Sequence, residues 1–196
     1  VSIHRGKIHD YLGMQLDYSV KGKVKVGMIE YVSEMLKHFP QTFKENEVAT
    51  TPASDALFNK GQGRILHQER ADMYHTMVAK ALFLCKRARP DIQQIIAVLC
   101  TRVKEPNEAD WNKLVRLMKY LNGTRELKLT LSADNLHCIK WYMDASFAVH
   151  PNYKSHAGTT MSYGDGNGAV QSISRKQKLN AKSSTKSKLV RVTNVL

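Results

Sequence analysis

Ile139-Lys140-Trp141-Tyr142-Met143-Asp144 decides how this chain is read. The stretch alternates with a period of two and reads as a buried strand that ends in a carboxylate. His156 to Tyr163 reads as a second strand, and Ala169 to Ser174 as a third. Between them, Gly164-Asp165-Gly166-Asn167-Gly168 has the wrong spacing and context for a dinucleotide or phosphate loop and is taken as a hairpin turn. Three strands joined in this way make a meander. Ser183, Ser184 or Thr185 then caps a last helix carrying Leu189, Val190 and Val195. No nucleophile-elbow glycines flank these hydroxyls, so capping is preferred to nucleophilic catalysis.

Upstream, the apolar period is mostly that of helices. Met28, Tyr31, Val32, Met35, Leu36 and Phe39 recur at three- and four-residue steps until Pro40. Tyr74 to Cys85 marks a second helix, Ile92 to Leu99 a third with Pro90 in its first turn, and Trp111 to Leu121 a fourth. For the fourth, Asn107 is the expected N-cap and Gly123 the expected left-handed C-terminal residue. Short loops make these helices packing neighbours. Before them, Tyr11 to Leu16 and Lys23 to Val26 read as strands of a hairpin turning at Lys21-Gly22. Residues 40–68 read as an irregular segment that wraps a surface or joins lobes. Leu127, Leu129 and Leu131 alternate as a closing strand, and Asp134-Asn135 punctuates after it. The expected class is therefore α+β: a module of residues 1–134 with a hairpin and a helical bundle, then a β-meander module of residues 135–196.

Charge narrows the partners. Thirty Lys and Arg stand against 17 Asp and Glu, a formal net charge of +13, with 42% hydrophobic residues, so the chain can bury a core and favours a polyanion. The excess is uneven: residues 139–196 hold 9 basic and 2 acidic side chains, and no acid follows Gly166. Lys113, Arg116 and Lys119 on the polar side of the fourth helix, and Arg175, Lys176 and Lys178 near the third strand, are the candidate phosphate contacts. The alternative is a solvated face on a structural or interaction piece. No apolar run suits a membrane span and no leader segment suits secretion, so the expected location is intracellular, cytoplasmic or nuclear. Cys85, Cys100 and Cys138 lack metal-ligand spacing and are expected as core thiols, and no histidine is assigned as a ligand. The start at Val1 and the end inside an apolar-periodic run suggest a piece of something longer.

A further set of motifs is collinear over nearly the whole chain. Asp10-Tyr11-Leu12-Gly13-Met14, Thr51-Pro52, Tyr74-His75-Thr76 with Arg89-Pro90-Asp91-Ile92, Trp111 with Lys119 to Arg125, Tyr142-x-Asp144-Ala145, and Ser174 to Lys178 with Ser183-Ser184-Thr185 occur in that order. Together they resemble the reverse transcriptase and ribonuclease H part of copia-type retrotransposon Pol polyproteins. The resemblance implies the end of a polymerase palm, a connector and a thumb-like helical bundle, followed by the first half of a ribonuclease H-like fold. It also implies an RNA-directed DNA polymerase and ribonuclease H parent that uses magnesium, with an RNA/DNA hybrid or duplex as partner.

Carried over residue by residue, that chemistry is incomplete. The family's Tyr-x-Asp-Asp turn does not occur in the chain. Asp144 matches the first metal-binding aspartate of the ribonuclease H part, but Lys186 and Lys188 stand where the next acidic ligand is expected. Two-metal hydrolysis needs several carboxylates around two ions about 4 Å apart. An ammonium about 4 Å from a divalent ion costs on the order of 8 kcal/mol at an effective dielectric of about 20, twice the unit-charge value and an upper bound because a lysine swings away. The expectation is a catalytically dead chain without a cofactor of its own, holding at most non-specific hybrid or duplex binding. A live enzyme completed by sequence outside the chain is the remaining alternative.

Overall fold

Tyr11 and Met14 face each other across a two-residue turn in which both Leu12 (φ 50°) and Gly13 (φ 76°) are left-handed. Such primed turns match the twist of paired strands, whereas a leucine there bears a steric cost. The computed structural model describes residues 5–134, 137–164 and 167–192, the side chains of the last two excepted. The turn divides the stretch expected as one strand into β1 (Ile8–Tyr11) and β2 (Met14–Asp17). β3 (Lys23–Gly27) follows the expected turn at Gly22. The missed turn has a simple cause, since alternation continues across a two-residue loop without a break in pattern.

Helix α1 (Ile29–His38) ends before Pro40 and buries Val32, Met35 and Leu36. The next helix, α2 (Gln68–Arg87), leads through a short 3-10 turn (Pro90–Ile92) into α3 (Gln93–Cys100). Last of the bundle is α4 (Glu108–Gly123), whose N-terminus is the expected Asn107. The Asn107 side chain accepts from the Asp110 amide, and the Asp110 carboxylate accepts from the Asn107 amide, a reciprocal cap. Gly123 corrects an expectation: it is helical and not left-handed, and it lies against Val48, whose Cβ would sit 2.9 Å from a side chain there. β4 (Leu129–Ser132) closes an antiparallel sheet ordered β1-β2-β3-β4.

The core lies between this sheet and the four helices. Tyr74, Leu84, Ile96, Leu114 and Leu121 are fully buried in it. Phe39 stacks on Trp111 at 5.4 Å, and the Arg70 guanidinium lies over the Trp111 ring at 4.5 Å while pairing with Glu108. Segment 40–68 forms no helix or strand before α2 begins at Gln68 but is anchored, burying Leu57 and Leu66 and pairing Ile65 with Asn107. A β-carbon at Gly61 would sit 2.2 Å from that of Ala109, so only glycine admits this approach.

Two motif stretches far apart in sequence form one polar cluster. Arg89, 2% exposed, donates through Nε and Nη2 to Asp91 and through Nη1 and Nη2 to the carbonyl and hydroxyl of Thr124. Tyr120 donates its hydroxyl to Asp91 at 2.9 Å. The turn after α2 is thereby fastened to the end of α4.

β5 (Ile139–Ser146), β6 (His156–Tyr163) and β7 (Gln171–Lys176) form the expected antiparallel meander, a second sheet, and α5 (Ser184–Val192) packs across β5 and β6. Of the glycine-rich turn, Asp165 and Gly166 lie outside the described residues, as does Val195 of the expected last helix. β5 is less buried than its alternation suggested, because only Ala145 is fully enclosed. Leu189 of α5 is 60% exposed, whereas Ser187 is buried and exchanges hydrogen bonds with Gln177. The second sheet meets the helices where Ser172 donates to Gln93 at 3.0 Å and Lys86 to the Ser172 carbonyl. It meets β4 where the Gly168 amide donates to the Thr130 carbonyl.

Candidate functional site

Asp144 lies near the end of β5, paired in register with Gly158 of β6. Its carboxylate is 78% exposed and accepts a charged hydrogen bond at 3.1 Å from Lys188 of α5. The helix begins where Ser183 caps it, its hydroxyl accepting from the Lys186 amide, and this start sets Lys188 one turn in, beside the strand. The Lys188 hydrogen bond, aided by the Ala145 amide, holds the Asp144 carboxyl below the usual carboxylate range. Beside Asp144 an open groove of about 620 Å³ runs between Pro90 to Gln94 and the strand residues Gly158, Thr160, Ser172 and Ser174.

This donor set does not fit a pair of divalent ions. Of the two carboxylates lining the groove, Asp91 is held by Arg89 at 2.7 Å and Asp144 by Lys188 at 3.1 Å, so each already faces a cation. Among the described residues no group of three or more His, Cys, Asp or Glu is arranged to hold a metal. The three cysteines are free thiols; Cys85 is buried in the core, where burial pushes its thiol up to about 12, Cys100 is partly buried and packs against the core, and Cys138 is partly buried away from it.

The six candidate cations separate into two groups. On α4 they are engaged with segment 40–68: Lys113 Nζ donates to the Asn59 carbonyl at 2.8 Å, Arg116 Nη2 to the Thr51 hydroxyl at 2.9 Å, and Lys119 stands 3.6 Å from Glu47. Burial lowers the Lys113 ammonium, and Arg116 Nε is buried without a hydrogen-bond partner. Their first role is to hold the connector. Arg175, Lys176 and Lys178 are exposed at the end of β7 and just after it.

A histidine pair escaped the sequence reading. His150 and buried His156 approach at 3.1 Å across the β5–β6 turn, with Phe58 against both rings, and His156 also bonds the Ser174 hydroxyl at 2.7 Å. Burial, and then the charge of Lys176, lower His150. The available signal was two histidines six residues apart on either side of Pro151-Asn152.

No protein-family model matches the chain, and no solved structure matches it. Among curated proteins it is similar to transposon proteins, including one of the Pol polyprotein type. One relative is the putative transposon Ty5-1 protein of Saccharomyces cerevisiae, 26% identical over 149 residues that cover 74% of this chain and 46% of that protein. Another is the retrovirus-related Pol polyprotein from transposon TNT 1-94 of Nicotiana tabacum, 24% identical over 195 residues that cover 96% of this chain and 14% of that polyprotein. The chain thus spans less than half of the first relative and a small part of the second. These similarities support a retrotransposon-derived chain. Among the described residues no helix is long and apolar enough to cross a membrane.

Proposed function

We propose that the chain is a fragment of a copia-type retrotransposon Pol polyprotein without reverse transcriptase or ribonuclease H activity of its own. On this reading, residues 1–134 descend from the end of the polymerase palm with its connector and thumb-like helices. Residues 135–196 descend from the first half of a ribonuclease H-like domain. The observation that carries the reading is the Lys188–Asp144 ion pair at 3.1 Å, an ammonium where metal-assisted phosphodiester cleavage needs another carboxylate. The residual property is sequence-independent binding of an RNA/DNA hybrid or duplex backbone. Arg175, Lys176 and Lys178 supply its exposed contacts, whereas the engagement of Lys113, Arg116 and Lys119 with the connector reduces their share.

The test is hybrid-strand cleavage and nucleotide incorporation by the full chain with magnesium or manganese. No turnover is expected, and Lys188→Glu restores none, because one added carboxylate leaves the ligand set short. Metal-dependent cleavage that disappears in Asp144→Ala overturns the reading.

A further inference from the structure

Four cations from four parts of the fold line one cavity of about 330 Å³: Lys60 of the connector, Arg102 after α3, Lys113 of α4 and Lys176 of β7. The loop carrying His150, Pro151 and Asn152 forms another wall, and Leu57 and Val98 give it apolar lining. Its size is that of a small-ligand site, far too narrow for a duplex. Asp110 is the acidic residue of the lining, and Arg102 Nε already binds it at 2.9 Å. Three lysine charges are left converging on the space. Lys113 spends one of its three donors on the Asn59 carbonyl.

We propose that this cavity binds a phosphate group, delivered either as inorganic phosphate or as the terminal monoester of a nucleic-acid strand. Convergent donors from separate elements suit a tetrahedral dianion, whose charge three lysines offset in a partly desolvated setting. The protonation behaviour agrees with this. Burial lowers Lys113 although Asp110 opposes it, and burial followed by the charge of Lys176 lowers His150, so both groups are partly desolvated where an anion would sit. His150 faces Lys176, its partner His156, and, across the cavity, Lys60, Arg102, Lys113 and Asp110. The site shares Lys113 and Lys176 with the backbone-binding reading but does not rest on it, since inorganic phosphate alone probes it.

The experiment titrates the full chain with inorganic phosphate at constant ionic strength in chloride, by calorimetry and by the imidazole resonances. Saturable binding is expected, with the His150 midpoint, assigned through His150→Gln, moving upward. Lys113→Met and Lys176→Met each weaken binding at least tenfold, and Lys21→Ala, exposed and outside the cavity, changes it less than twofold. Lys60 and Lys176 are exposed, so Lys60→Met and Lys176→Met keep the test valid when Lys113→Met lowers the melting temperature. Competition by 5′-phosphorylated and 5′-hydroxyl oligonucleotides separates the sources. A tenfold advantage of the phosphorylated strand identifies the strand terminus, and equal competition identifies the free ion. Absence of saturation, or wild-type affinity in both Lys60→Met and Lys176→Met, overturns the proposal, whether or not duplex binding is found.

Discussion

Replacing Arg89 by methionine tests whether the cluster joining the α2–α3 turn to the end of α4 holds the helical body together. The substitution keeps a long apolar stem but removes five hydrogen bonds, three to Asp91, two of which share Nε, and two to Thr124. Breaking a buried ion pair by removing one partner costs about 3–5 kcal/mol. Asp91 is 28% exposed and keeps the Tyr120 hydroxyl, so water and tyrosine recover part of its solvation and the lower end applies, about 3 kcal/mol. For a chain of this length that is a drop of about 6–12 °C in melting temperature. Urea unfolding followed by circular dichroism should show a lower midpoint with an unchanged slope. Arg89→Met combined with Asp91→Asn should cost less than the sum of the two single changes, because the second removes the stranded charge. A loss below about 1 kcal/mol, or strict additivity, refutes the reasoning.

Three other perturbations follow from particular contacts. Duplex affinity should fall with salt at a log–log slope of roughly −3 to −4, and replacing Arg175, Lys176 and Lys178 by alanine should flatten it by about 2 to 3; filter binding across a salt series that shows no slope assigns the charge to a solvated face. The folded state lowers His150, so its contribution to stability is complete above the usual imidazole pKa and declines as pH falls below about 6.5 toward the lowered folded value. Unfolding titrations between pH 7 and 5 should therefore be flatter in His150→Gln, and identical pH curves would exclude this residue as the source. Leu12→Asn should raise stability by about 1 kcal/mol, since asparagine tolerates the left-handed turn at this exposed position, and a melting temperature at or below wild type would contradict the strain.

Much of the architecture was legible because local physics specifies it. Periodicity marked the four helices from α1 to α4 and the three strands of the second sheet, Asn107 announced its cap, Ser183, Ser184 and Thr185 offered one from which the structure takes Ser183, and Pro40 and Pro90 set boundaries. What alternation does not register is a turn that preserves it, so Leu12-Gly13 went unseen. Nor does a glycine's place near a helix end reveal its φ: Gly123 serves close packing against Val48.

For the site, the sequence by itself determined which chemical groups exist: Asp144 without an acidic neighbour at 186 or 188, a basic carboxy-terminal third, and no Tyr-x-Asp-Asp turn. Tertiary structure decided which of them meet. It set Lys188 on Asp144, turned Lys113, Arg116 and Lys119 toward the connector, drew Lys60, Arg102, Lys113 and Lys176 around one cavity, and brought His150 against His156. The residues gathered around that cavity come from positions more than a hundred apart in the chain. Spacing along a chain encodes the faces of single helices and strands, while the distance between two elements is set by the packing of everything between them.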